Sequence, residues 1–197
     1  DSFRIDDNGS QIYIDPWKLG ENSPPADLIL VTHHHHDHCS SDDIARIRQA
    51  STVIVANPSA AKKLRKELGK EAVQHVMKPG DRLQVAGVTV EAAPAYNVAR
   101  KAHKKTAGHL GYIVGVGGTR IYHAGDTEPI PEMAGIKADI LLAPVSGKWA
   151  ATPAEAAEIV RMVRPRIAIP MHIGAFIGSI AEAERFKELA SCPVVIL

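Results

Sequence analysis

Asp27-Leu28-Ile29-Leu30-Val31-Thr32-His33-His34-His35-His36-Asp37-His38 is an apolar, buried-strand pattern that runs straight into six side chains able to bind metal. The run is internal and follows a strand, whereas a purification tag sits at a terminus. Side chains alternate along an extended segment, so His33 and His35 share one side while His34 and His36 share the other. Two imidazoles on one side make half of a nitrogen-rich metal site. A turn after them would bring Asp37 and His38 to the same cavity as donors for a second ion. His34 and His36 are expected to be spacers at the pocket rim. Packing does not account for the cluster, because burying so many polar groups without partners costs several kcal/mol.

Outward from that turn, 197 residues are enough for one domain with a sizeable core and too few for two. Hydrophobic and charged shares of 45% and 23% are those of a globular protein. No apolar run reaches the roughly 20 residues needed to span a bilayer and no signal-peptide pattern opens the chain, so no membrane partner and a cytoplasmic location are expected. A net charge of +1 argues against a general nucleic-acid binder. The two cysteines, Cys39 and Cys192, fit a reducing compartment, and Cys39 reads as a small buried residue. Self-association of the chain is left open.

Short strands at 2–5 and 11–14 flank Asn8-Gly9, a type I′ hairpin signal, so the chain opens with antiparallel pairing. After the histidine run, Ser40-Ser41-Asp42-Asp43 supplies capping groups for a helix to about Gln49. A strand at 52–56 and a helix from Pro58 to Leu68, stopped by Gly69, follow. Residues 73–90 read as short strands, and 111–116 with 119–123 as a hairpin across Gly117-Gly118. The last third alternates strand 139–143, a helix opened by the capping box at Thr152 and ending near Val163, strand 166–170, helix 181–190 and strand 194–197. Strands mixed with helices in both halves predict an α/β fold of four layers, two sheets face to face with helices outside.

Two ions need more donors than the first motif holds. Asp126 follows the strand ending at His123, with Gly125 free to turn the backbone, and His172 ends the strand that contains Ile169-Pro170. Taken singly, Gly-Asp-Thr is an ordinary turn and His172 an interior histidine. The first motif is what makes both of them candidates.

These residues resemble the metallo-β-lactamase superfamily: His33-x-His35-x-Asp37-His38, then Gly125-Asp126, then His172. More narrowly, Ile14-Asp15-Pro16, Pro94-Ala95-Tyr96-Asn97, Tyr122-His123-Ala124-Gly125-Asp126-Thr127 and Ile169-Pro170-Met171-His172-Ile173-Gly174 are similar to a small branch of hydrolases allied to the ascorbate-6-phosphate lactonase. The resemblance spans nearly the whole chain. It implies an αββα sandwich with a binuclear centre at one edge. His33, His35 and a third histidine would hold the first metal, Asp37, His38 and His172 the second, and Asp126 would bridge them. For the third histidine the family places one shortly before a Gly-Tyr strand, and both His103 and His109 precede Gly111-Tyr112. His103 is preferred for its spacing and loop position, with His109 the runner-up on its Gly-His context. Family members also carry a Gly-His ahead of the first strand, so a few residues are expected before Asp1. The loop Pro144-Val145-Ser146-Gly147-Lys148-Trp149 lacks the branch's second glycine, which leaves substrate choice open.

Nitrogen and carboxylate donors without thiolate suit two divalent ions, Zn²⁺ first, with Mn²⁺ or Fe compatible. Such a pair activates water for attack on an ester, lactone or phosphodiester, and Asp37 is placed to ligate and to take a proton. The expected partner is a small molecule. Arg100, Lys101, Lys104 and Lys105 around His103 would attract an anionic one, unless they are simply a solvated loop. Competing readings are a nuclease of the same superfamily, for which no basic arm is present, and a non-catalytic metal-binding protein. A redox di-iron protein would carry an acid where His35 stands.

Overall fold

The computed structural model describes residues 1–174 and 177–197. Its first sheet has the order β1 (Phe3–Asp7), β2 (Ser10–Ile14), β3 (Ala26–Val31), β4 (Arg48–Ala56) and β5 (His75–Val76). β1 and β2 are antiparallel across Asn8-Gly9, both at positive φ as a type I′ turn requires, and the other pairings are parallel. The second sheet, named in spatial order, runs β11 (Ile167–Met171), β10 (Ile140–Pro144), β9 (Thr119–His123), β8 (Leu110–Val116), β7 (Val88–Pro94) and β6 (Arg82–Val85). Its β6 to β9 are an antiparallel meander, to which β10 and β11 add in parallel.

Alternation along β3 sorts the layers. Leu28 and Leu30 join Ile12, Ile14 and Val55 in the core that includes the second sheet's Val90, Tyr112 and Val114. Ile29 and Val31 point the other way, to a second cluster with Ile44 and Ile47 of α1 (Ser41–Ile47) and Ala60, Ala61 and Leu64 of α2 (Pro58–Leu68). On the far side of the second sheet, α3 (Pro153–Val163) packs on β10 and α4 (Ile180–Leu189) on β11. The result is the expected αββα sandwich. Among the described residues no helix is long and apolar enough to cross a membrane.

Two local expectations are corrected. The first helix stops at Ile47 rather than near Gln49, and β4 begins at Arg48, because Arg48 reaches Ala26 of β3 and pairing continues past the polar Gln49-Ala50-Ser51. Residues 194–197 form no strand. Val194 makes a single bridge to Ala168 at the sheet edge.

At the end where the site lies, the sheets are fastened together. The Tyr112 hydroxyl donates to the Val31 carbonyl (3.0 Å), and the Leu110 amide to the Thr32 carbonyl (3.1 Å). Elements from the two halves therefore meet at one edge.

Candidate metal centre

The chain leaves β3 at Val31 and folds back at once. The amides of His38 and Cys39 both donate to the His35 carbonyl, and Ser40 then caps α1 by accepting from the Asp43 amide. This turn puts His33 Nε2 3.0 Å from His35 Nδ1 and swings Asp37 and His38 toward the same cavity. His34 lies outside it against Ser59, and His36 stands at the rim beside Trp17. Cys39 is buried away from the cavity, and burial pushes its thiol up to about 12, so it stays protonated.

The second sheet contributes the facing donors. Gly125 has φ +68°, and a Cβ there would lie 2.6 Å from the Leu110 carbonyl oxygen, so only glycine makes the turn that presents Asp126. Asp126 Oδ2 is 3.5 Å from His103 Nε2 and 4.0 Å from His33 Nε2. Its Oδ1 is 3.5 Å from both His38 Nε2 and His172 Nε2. Two groups result, His33 with His35 and His103 on one side and Asp37 with His38 and His172 on the other, and Asp126 faces both. All seven residues singled out in the sequence converge here. His109 sits behind them, its ring stacked on His33 with centroids 4.5 Å apart.

Backbone strain marks two of these donors. His103 (φ 53°) and His172 (φ 64°) are left-handed, a conformation that costs a non-glycine residue about 1–3 kcal/mol. Asn97 holds the first in place. Its amide N–H donates to the His103 carbonyl, and its side-chain Nδ2 donates to the carbonyls of Ala102 and Trp149.

The backs of three of these imidazoles, His33, His38 and His103, are also tied down. Thr32 gives its hydroxyl proton to Asp15 Oδ2 (2.6 Å) and its amide proton to Asp15 Oδ1 (2.7 Å), so its oxygen accepts from His33 Nδ1 (3.0 Å). His38 Nδ1 donates to Asp15 Oδ2 at 2.7 Å, and His103 Nδ1 to the Trp149 carbonyl at 2.9 Å. Each bond points the ring's Nε2 at the cavity, the orientation that metal-ligating histidines require. Asp15, fully buried, thus orients two of these histidines, a role that the sequence reading of the motif Ile14-Asp15-Pro16 does not assign to it. The signal for that role in the sequence is a carboxylate at a buried strand end.

A divalent ion fits this donor set. His38 Nε2, His172 Nε2 and Asp126 Oδ1 are buried with no hydrogen-bond partner, an unfavourable state unless a cation lies between them. Their 3.5 Å spacing is close to the ~3.4 Å edge of a tetrahedron of donors about 2.1 Å from a central ion. Electrostatics agree. Burial, then the His38 charge, push His33 well below its ordinary range, and burial takes His35 to about 4 and His109 to about 3. Burial also lowers the His38 pKa, yet Asp126 and Asp15 outweigh it and raise it to about 10. Burial likewise opposes the Asp126 carboxylate, and His38 and His172 hold it well below the usual range. The site draws positive charge.

A cleft of about 410 Å³ opens onto these donors, with Trp149, Ala102 and Ile177 as its apolar wall. A recess of about 250 Å³ shares Asp37, His172 and Ile177 and carries Trp17 and Lys18. Arg100 is not available to either. Its guanidinium is paired with Glu128 and with Glu155 (2.8 Å), and it also donates to the Gly147 carbonyl. Lys105 is paired with Glu132 (2.8 Å). A larger groove of about 540 Å³ between Arg48 and Gln74 includes none of these donors.

Residues 1–172 match the family model of a β-lactamase superfamily domain. A UPF0173 metal-dependent hydrolase of Thermoplasma acidophilum is 35% identical over 168 residues, 83% of this chain and 73% of the relative. A Parabacteroides distasonis crystal structure, assigned as a metal-dependent hydrolase, superposes with TM-score 0.87 at 32% identity over 99% of this chain and 88% of that one. The metallo-β-lactamase fold protein YhfI of Bacillus subtilis shares the fold at TM-score 0.79 and 14% identity, over 100% of this chain and 88% of its own. With a buried His/Asp donor set where the two sheets of an αββα sandwich meet, the chain belongs to the metallo-β-lactamase superfamily and is one of its metal-dependent hydrolases.

Proposed function

We propose that the chain hydrolyses an ester, lactone or phosphodiester bond of a small molecule through a binuclear centre, with zinc the first choice of ion. His33, His35 and His103 would hold one ion, Asp37, His38 and His172 the other, and Asp126 would bridge them. The observation that carries this reading is the reach of Asp126, whose two oxygens face separate groups of donors. Two such ions supply a hydroxide at neutral pH and polarise the oxygen under attack.

The protein's own part is positioning and proton handling. Asp37 lines both the cleft and the recess, so its carboxylate can take the proton of the attacking water and return it to the leaving oxygen. Trp149, Ala102 and Ile177 favour an apolar group on one side of the scissile bond. Lys18, which lines the recess, can meet an anionic group on the other, whereas Arg100 and Lys105 are already paired.

A panel of lactones, phosphodiesters and RNA, offered to the zinc- and manganese-loaded protein, tests the proposal. Turnover of a lactone, ester or small phosphodiester, lost in Asp126→Asn, is expected. A protein that holds no metal after reconstitution, or that cleaves RNA alone, overturns it.

A further inference from the structure

Asp1, two residues ahead of β1, reaches the centre. Its Oδ2 is 3.5 Å from His172 Nε2 and 3.6 Å from His38 Nε2, the same spacing as the donors around Asp126. The side chain is 6% exposed, and Oδ1 is buried with no hydrogen-bond partner. A carboxylate buried in that way needs a cation nearby. Its position is held from behind. The His123 ring accepts the Gly125 amide proton at Nδ1 (3.2 Å) and donates from Nε2 to the Asp1 carbonyl (3.0 Å). Burial brings His123 to about 4, which keeps it in the neutral form that both bonds require. One imidazole therefore fixes both residue 1 and the turn that delivers Asp126. Phe3, packed edge-on against the same ring at 5.8 Å, starts the pairing of β1 with Ile14.

We propose that the Asp1 carboxylate is a further protein ligand on the side of Asp37, His38 and His172, and that this makes the two metal positions unlike. The inference rests on the binuclear reading above. The first position offers three imidazole nitrogens and one oxygen of Asp126. The second offers two imidazole nitrogens and oxygens from Asp1, Asp37 and Asp126. Imidazole-rich sets suit zinc, whereas carboxylate-rich sets of higher donor number suit a harder ion such as Mn²⁺. The protein would then hold Zn²⁺ in the first position and favour Mn²⁺ in the second.

Metal content and Mn²⁺ electron paramagnetic resonance decide this without an activity assay. Apo-protein is equilibrated with equal Zn²⁺ and Mn²⁺, and bound metal is counted for wild type, Asp1→Asn and Asp1→Glu. Wild type is expected to carry about one equivalent of each. In Asp1→Asn, Mn²⁺ affinity should fall at least about tenfold while the zinc equivalent stays, and Asp1→Glu should restore part of the loss. Retention of zinc shows that the variant is folded. Unchanged Mn²⁺ affinity and an unchanged Zn/Mn ratio in Asp1→Asn overturn the proposal. A wild-type protein that binds fewer than two ions overturns the binuclear reading itself.

Discussion

Asp15 Oδ2 and His38 Nδ1 lie 2.7 Å apart, between two side chains with no exposed surface, at the junction of β2 with the first histidine loop. The same carboxylate fixes Thr32 and, through its hydroxyl, His33. One residue thus orients a donor in each of the two groups. Asp15→Asn replaces an acceptor by a donor beside His38 Nδ1. It should weaken metal binding about 10- to 100-fold, read by competition with a chromogenic chelator. If affinity is unchanged, Asp15 is only a packing residue.

His103 and His109 can be told apart by substitution. His103→Ala is expected to lose one equivalent of metal, because its Nε2 is 3.1 Å from His35 Nδ1. His109→Ala should keep both equivalents and lose only the packing of its ring on His33. Metal counts after dialysis decide the matter.

Glu128 supports the loop that carries His103. It accepts from the amides of Val98 (2.7 Å), Ala99 (2.8 Å) and Arg100 (3.2 Å), and it pairs with the Arg100 guanidinium. Burial disfavours its charge, but these donors outweigh it and hold the carboxyl below the usual glutamate range. Its stabilising effect is therefore complete above that range and is lost as pH falls through the lowered value. Glu128→Gln should cost about 2 kcal/mol in urea unfolding near neutral pH and less in acid, and it should weaken the His103 side of the centre.

His123 predicts a second pH dependence. Its folded-state pKa of about 4 lies below the ordinary 6.5, so the unfolded chain takes up the proton first. The stability it gives is intact above pH 6.5 and declines as pH falls toward 4, by at most about 3 kcal/mol. In metal-free protein, His123→Gln should show a shallower loss across that interval than wild type. Parallel curves from urea titrations would contradict this.

Substrate contacts separate in the same way. Trp149→Ala should raise KM about tenfold for substrates with an apolar group, and Lys18→Gln should do so only for anionic ones, each with kcat nearly kept. A fall in kcat alone would place these residues in the chemistry instead.

Much of the fold could be read from local pattern. The alternation of β3 from Leu28 to Val31 between two clusters and the Asn8-Gly9 and Gly117-Gly118 turns depend only on neighbouring residues. What could not be read depends on partners distant in sequence. β4 extends back to Arg48 because β3 is there to pair with, although Gln49-Ala50-Ser51 has no strand character. Residues 194–197 look like a strand yet find one edge contact. In the site, a dense local motif announced His33 through His38. Asp15, Asn97 and Glu128 each act through several hydrogen bonds to groups placed by tertiary packing, and their residue types alone do not mark them. The basic run near His103 read as an anion site or as a solvated loop, and for two of its four residues, Arg100 and Lys105, folding supplies carboxylate partners.

The donors are very unevenly spread along the chain. Those of the first sheet are complete by His38, whereas His172 follows β11, nearly the last element to be made. During synthesis the nascent protein therefore carries loose histidines long before any cavity encloses them, and under the binuclear proposal the ion on the side of Asp37, His38 and His172 would be retained only after β11 has docked beside β10. Metal capture at that second position would then report completion of the fold, and a chain cut short before β11 would keep the whole histidine run and still lack His172, a donor of that position.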